Sequence, residues 1–427
     1  MAENSTEFDS FGVMLRHLRR RARLTQRELG TAVGYSEAHI ARLEANQRRP
    51  DVAAITGRFF EALDLSDEPE LREQLVMLAS AARKPGQHQT PADLLSDAPP
   101  TNLREQLTAF IGREDELSES KRLLRTTRLL TIVGPGGIGK SRLAAQIASD
   151  LLPAYSDGVW IVSFASLSAS DDVVTAVAGT MNLASMNLVD GLKQYLKNRK
   201  ALLILDNCEH VVTACARLAV SLLQVCAHLQ IIATSREAFS VPGEIAWPLP
   251  PMTCDETHDL FIARARAMKP DFEVTPDIEP LLSQICDELE GNPLAVELAA
   301  ARLQVLSLQE IVELLGDRFR LLTGGNRLAH PRHQSMRALL DWSYNLLHNA
   351  ERELFMRLSA FESDWTLDDI ETIYAGSETI PKIDALDLLT QLVKKSLVMI
   401  EDHTTPARYM MSRTVRQYAL ERAIENA

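Results

Sequence analysis

Gly134-Pro135-Gly136-Gly137-Ile138-Gly139-Lys140-Ser141 places a lysine and a hydroxyl behind a glycine-rich loop at G-x-x-x-x-G-K-[ST] spacing. Residues of these types at this spacing bind phosphate. The glycines let backbone amides close around phosphate oxygens. Lys140 supplies a positive charge to β and γ phosphates, the Ser141 hydroxyl ligates Mg²⁺, and the helix that runs on through Arg142 adds the partial charge of its N-terminus. Downstream, Leu202-Leu203-Ile204-Leu205 ends in Asp206, a carboxylate suited to the same magnesium, usually through water. Thr234-Ser235-Arg236 ends another apolar run, where an arginine can reach a γ-phosphate. Without the motifs upstream, the pattern at Arg236 would favour a surface salt bridge. Together these residues imply a bound Mg-nucleotide, ATP or ADP.

Such residues need a scaffold that brings strand ends together. Leu129–Val133, Val159–Phe164, Leu202–Leu205 and Gln230–Thr234 are short apolar runs of the kind that form buried parallel strands, and helical patterns separate them. This alternation predicts a doubly wound α/β sheet over residues 106–250, with Asp206 on a strand beside the phosphate-loop strand. Residues 251–325 read as a helical region, with apolar residues such as Leu294, Val296, Leu298, Leu303 and Leu306 at three- and four-residue spacing. Residues 326–427 read as helices plus a small hairpin (Ser396–Ile400 and Arg408–Met411), the pattern of a winged helix. Residues 1–83 form an all-α module, and a Pro-, Gly- and Gln-rich stretch within 84–105 reads as a linker.

The N-terminal module has its own chemistry. Thr25-Gln26-Arg27-Glu28 is a capping box that starts a helix to Val33, Gly34-Tyr35 makes a turn, and Ser36 caps a second helix. Two short helices about a Gly-containing turn predict a helix-turn-helix. Its second helix would present Ser36, Glu37, Ala38, His39 and Arg42 to a DNA groove. Gln26, Arg48 and Arg49 suit backbone phosphates. Pattern alone fits a helical adaptor with a solvated arginine face nearly as well.

Bulk properties narrow the classes. Net charge is −13, yet residues 8–60 hold ten Arg against five acidic residues. A basic module on an acidic body predicts local, not general, contact with nucleic acid. The five cysteines (208, 215, 226, 254, 286) show no metal spacing and read as buried free thiols. Neither a signal segment nor a membrane-length apolar run is present, so we expect a cytoplasmic chain without membrane contact.

The stretch Leu18–Pro50, with LTQRELG, SEAHIARLE and RRP, resembles the Cro/repressor-type (xenobiotic-response-element family) helix-turn-helix. That resemblance implies sequence-specific binding of double-stranded DNA, by dimers or higher assemblies. Residues 106–427 resemble the core of STAND ATPases, related to the NB-ARC proteins of apoptosis and plant immunity, and bacterial regulators of that class most of all. FIGRE (110–114), LLILDNCEH (202–210), ATSRE (233–237), GNPLAVELAA (291–300), LDWSYNLL (340–347) and VRQYALER (415–422) carry it. The resemblance implies that Ile111, Arg113 and Pro293 lie at the adenine, and that residues 251–325 act as a lid. Two departures stand out. Many relatives carry a second acid where this chain has Asn207, and an amide cannot accept a proton from water. Glu209 lies nearby, and we expect slow hydrolysis. The hairpin has Met411-Ser412-Arg413 where immune-type relatives have Met-His-Asp.

These readings converge on an ATP/ADP-gated DNA-binding regulator, assembling as a homo-oligomer with ATP and answering an activating ligand or protein. A sensor whose oligomer is itself the output, and a DNA-remodelling ATPase, are the alternatives.

Overall fold

A computed structural model describes residues 8, 10–33, 35–46, 50, 55, 59–65, 68–81, 99–104, 106–167, 172–183, 187–323, 334–374, 382–401 and 406–426. The chain divides into two compact units, Met1–Asp97 and Ala98–Ala427. The expected linker stretch 84–91, with Gly34 of the turn, lies outside the described residues.

The first unit packs α1 (Phe11–Arg21), α2 (Gln26–Val33), α3 (Glu37–Glu44) and α4 (Pro69–Ala81) around Phe11, Leu15, Leu18, Leu29, Ile40, Leu43 and Leu75. The capping box forms: the Thr25 amide donates to Glu28 Oε2 at 2.7 Å, and the Glu28 amide donates to Thr25 Oγ1 at 3.2 Å. Ser36 accepts from the His39 amide and starts α3. Glu44, at the end of α3, is 3% exposed and receives Arg19 of α1 and, at 2.8 Å, Gln26 Nε2 of α2. One buried carboxylate thereby fixes all three helices.

The second unit begins with a parallel sheet in the order β2-β3-β4-β1-β5: β1 Leu129–Val133, β2 Val159–Ser163, β3 Leu202–Asp206, β4 Gln230–Ser235 and β5 Glu244–Pro248. Alternate residues of each strand face opposite layers. Leu130, Ile132, Leu202, Ile204 and Ile232 pack with α5 (Glu114–Leu124) and α6 (Lys140–Leu151). Leu203, Leu205, Ile231 and Ala233 pack with α7 (Asp172–Thr180), α8 (Leu188–Leu196) and α9 (Val212–Leu223). Two features differ from the sequence reading. β4 lies between β1 and β3, so Asp206 is not on the strand beside the phosphate loop. β5 is an additional strand, half-exposed at the sheet edge and ending in Pro248, and so lacks the apolar run that marks a buried strand.

Next come α10 (Cys254–Met268), α11 (Glu279–Glu288), α12 (Pro293–Ala301) and α13 (Leu308–Leu314). They share one continuous core, including Phe261, Val296, Phe355, Leu389 and Tyr418, with α14 (Met336–Asn345), α15 (Asn349–Leu358), α16 (Leu367–Tyr374), α17 (Lys382–Lys394) and α18 (Arg413–Glu425). The wing pairs β6 (Met399–Glu401) with β7 (Arg408–Met410), and Trp365 adds a bridge to Tyr409. No described helix is long and apolar enough to cross a membrane. Cys254 is exposed, unlike the other four cysteines, because it occupies the first position of α10 and not a packed face.

Burial opposes ionisation of Glu44, but Arg19 and Gln26 outweigh it and hold its carboxyl below the ordinary 4.5. A carboxyl depressed in the folded state contributes stability above pH 4.5 that is lost as pH falls through the folded value. Glu44→Gln should therefore lower stability at pH 7 and flatten its fall on acidification, read from urea unfolding of the first unit at pH 3–7.

Candidate functional site

The phosphate loop leaves β1 and enters α6 through Gly139, whose φ of +98° is a backbone state that a side chain would strain. Among the described residues the amides of Gly137, Ile138 and Gly139 have no acceptor, although the loop is partly enclosed. A cluster of such donors at a helix N-terminus is chemically matched to an anion. Lys140 Nζ donates to the Gly134 and Pro135 carbonyls at 2.7 and 3.0 Å, which holds its charge at the loop mouth. Ser141 is exposed beside it.

Loop and lid enclose a cavity of about 900 Å³ whose wall includes Gly136, Gly137, Gly139, Lys140, Ser141, Arg142, Asn207, Glu209, Arg236, Pro293 and Leu339. Asp206 stands behind this wall. Its Oδ1 accepts from the Thr234 hydroxyl at 2.6 Å, and its Oδ2 accepts from the Asn207 amide group at 2.7 Å. For magnesium, the residues that fit are hard oxygen donors, Ser141 at the rim and Asp206 one layer deeper. Among the described residues there is no group of three or more His, Cys, Asp or Glu that could hold a metal by itself. A divalent cation here would therefore share its ligands with a phosphate.

A narrow, mostly apolar slot of about 40 Å³ adjoins the cavity, lined by Phe110, Ile111, Arg113, Ile138, Leu143, Met252, Leu260 and Pro293. Arg113 is buried, and its guanidinium donates to Glu116 Oε1, Pro250 O and Ile138 O at 2.7, 2.6 and 3.3 Å. It holds the slot wall together. Arg142 donates to Thr108 O and Ala109 O at 2.9 and 2.6 Å, pinning the segment before α5 over α6. Burial, then the neighbouring Arg264, pulls the Arg142 guanidinium down from its ordinary value. Glu256 of α10 accepts from the Arg113 amide. Burial opposes its ionisation, but the Arg113 and Thr253 amides outweigh that and keep the carboxyl low.

The lid reaches the loop through Asn292 and Leu294. Asn292 Nδ2 donates to Gly136 O and the Leu294 amide donates to Gly137 O, both at 3.3 Å. The C-terminal helices reach it through α14. Arg236, 5% exposed, donates to the Ser343 hydroxyl, and Ser396 Oγ donates to Arg236 O at 2.8 Å. Leu339, one turn before Ser343, lies against Gly136. Asn292, Leu339 and Ser343 escaped the sequence reading. Asn292-Pro293 carries an N-cap signal, but nothing local marks Leu339 or Ser343 as neighbours of the loop. The hairpin is elsewhere: Ser412 caps α18, and Arg413 pairs with Glu288 at 2.7 Å. Glu209 lines the cavity and a second, polar one beyond Arg236.

In the first unit, Arg42 is exposed on α3, while the ring of His39 stacks on Tyr35 with centroids 4.0 Å apart. Gln26 and Ser36 have the internal partners given above. Glu37 and Ala38 lie in α3, but their side chains, like Arg48 and Arg49 entirely, fall outside the described residues.

Residues 10–75 match a helix-turn-helix domain family, residues 114–250 the NB-ARC domain family, and residues 347–423 a winged helix-turn-helix domain family. The chain is 38% identical over 327 residues to an uncharacterised protein of Mycobacterium tuberculosis, covering 76% of this chain and 83% of that one. It is 43% identical over 304 residues to a second protein of that organism, named "Putative HTH-type transcriptional regulator Rv0890c", of which it spans 34%. Among solved structures, a Walker-type ATPase of Pyrococcus abyssi superposes with a TM-score of 0.54 at 14% identity, over 75% of this chain and 99% of that one, a likeness of fold alone.

Gly291, before Asn292, has φ +63°, and an added Cβ would stand 2.3 Å from Met252 O. Gly291→Ala should cost about 2–3 kcal/mol and loosen the lid, seen as a lower urea midpoint and faster proteolysis near residue 291.

Proposed function

We propose a nucleotide-gated transcriptional regulator, from the premise that this chain belongs to the NB-ARC family of P-loop proteins and carries a helix-turn-helix domain before it and a winged helix after it. The observation that carries the gating is Arg236. It lines the nucleotide cavity and is bonded to α14 of the winged-helix region, so occupancy of one is felt by the other.

In this reading the loop amides and Lys140 hold the phosphates of ADP or ATP, and Ile111, Arg113 and Pro293 border the adenine. A magnesium ion would be held by the Ser141 hydroxyl with Asp206 behind it, and would supply positive charge against the phosphates. Asn207 has an amide in place of a proton acceptor, and Glu209 is a carboxylate on the cavity wall, so any hydrolysis is slow and resets a switch. ADP keeps the lid and winged helix closed over the loop. Exchange to ATP, prompted by an activating ligand or protein, releases them and permits homo-oligomers. Assembly then gathers helix-turn-helix modules, raising their effective concentration on double-stranded operator DNA. Arg42 faces bases, and the neighbouring arginines face phosphates. The name carried by one relative agrees with a regulator's role.

Two experiments test this. Denaturing the purified protein should release ADP at close to one per chain, and Lys140→Ala should carry none. No released nucleotide together with no binding of added ATP-Mg sinks the proposal. On a short palindromic duplex, Arg42→Ala should weaken binding by about 1–3 kcal/mol, and the wild-type affinity should fall steeply with salt. Indifference to both, with ATP-dependent oligomers intact, favours a sensor whose oligomer is the output.

A further inference from the structure

We infer that Leu339, on α14 of the winged-helix region, is the residue that makes the closed form select a nucleoside diphosphate and reject a triphosphate. The inference rests on the nucleotide reading above and adds to it which side chain discriminates.

A Cβ built on Gly136 would stand 2.6 Å from Leu339 Cδ1 and 3.0 Å from Arg236 Nη2, so methyl and guanidinium converge on one point of the loop. That point lies beside the two carbonyls, Gly134 O and Pro135 O, that hold Lys140 Nζ. A loop lysine of this motif serves the β and γ phosphates, so the space around Lys140, Arg236 and Gly136 is where a terminal phosphoryl group must be received. Leu339 is 2% exposed and fills part of that space with carbon. An anionic oxygen pressed against a methyl group loses water and gains no donor, which is unfavourable. A diphosphate ends before this point and keeps the amides of Gly137, Ile138 and Gly139 as its donors. The hairpin does not compete for this role, because Arg413 is bound to Glu288 and Ser412 to the start of α18. Ser343 holds Arg236 from the same helix, so α14 carries both the wedge and the tether of the cation beside it.

The test is equilibrium binding of ADP and of a non-hydrolysable ATP analogue, each with Mg²⁺, to the full chain, with small-angle scattering of each complex. Wild type should prefer ADP at least tenfold. Leu339→Ala should narrow this below threefold by tightening the triphosphate, with ADP affinity within twofold and the triphosphate complex as compact as the ADP complex. Ser343→Ala, which leaves the leucine in place, should keep most of the preference. Should Leu339→Ala fold poorly, Leu339→Val serves instead: the shorter side chain draws its methyl groups back from Gly136, and ADP should lose part of its advantage. An unchanged preference in both variants overturns the inference and leaves the nucleotide site standing. So does a triphosphate complex of Leu339→Ala that forms only in an expanded shape, because clamp loosening then accounts for it. Failure of every form to bind either nucleotide overturns the site itself.

Discussion

Backbone amides that point at one spot without acceptors cannot simply be buried, because each unpaired donor costs free energy in a protein interior. The loop from Gly134 to Ser141 has this constraint, and the second unit is arranged around it. The sheet sets the loop at its carboxyl edge. The lid then approaches only through groups that can bond the loop's carbonyls, Asn292 Nδ2 to Gly136 O and the Leu294 amide to Gly137 O. The Gly136 and Gly137 carbonyls are thereby satisfied by the lid, while the amides of Gly137, Ile138 and Gly139 have no acceptor among the described residues. This division leaves an anion as the matching occupant and explains why the lid helix begins with Asn292-Pro293 at the loop.

Charge placement follows the same logic. Arg236 is almost fully buried, donates to the Ser343 hydroxyl and lines the cavity. Arg318 is also buried. Burial pulls its guanidinium down while Glu290 and Glu288 raise it, and it bonds Glu288 and Thr414 of α18. The Arg318 cluster, with Arg413 on Glu288, fastens the lid to the winged-helix region as one body. The shared core of Phe261, Val296, Phe355 and Tyr418 does the same with apolar contacts. The lid and winged-helix region meet the nucleotide domain at polar points that include Arg236 and Gly136.

The hairpin departs from the family pattern at Met411-Ser412-Arg413, and its local contacts differ accordingly. Here Ser412 accepts from the Val415 amide as a helix cap, and Arg413 finds two acids of the lid. Serine at a helix start is strongly favoured as a cap, and an arginine beside Glu288 and Glu290 has an electrostatic partner without reaching further. From the winged-helix region it is Leu339 of α14 that lies against the loop, while Ser343 on the same helix accepts from Arg236.

What the sequence by itself determined were features whose cause lies within a few residues. The phosphate loop is one, because glycine spacing before Lys140-Ser141 dictates its backbone. The Thr25–Glu28 and Ser36 caps are another, as are the four buried strands, whose apolar runs leave no other place for them. Ile111, Arg113 and Pro293 were legible only as members of motifs. Tertiary structure decided what depends on distant partners. Strand order put β4 between β1 and β3, and so set Thr234, not the loop strand, against Asp206. The edge strand β5 turns only Ile245 and Trp247 partly inward, too few to stand out as an apolar run. Arg236 and Ser343 are 107 residues apart in the chain, and no periodicity records such a meeting. Leu339 reads in sequence as one more core leucine of an amphipathic helix; only the packing of α14 on the loop gives its methyl group a neighbour that bears on function.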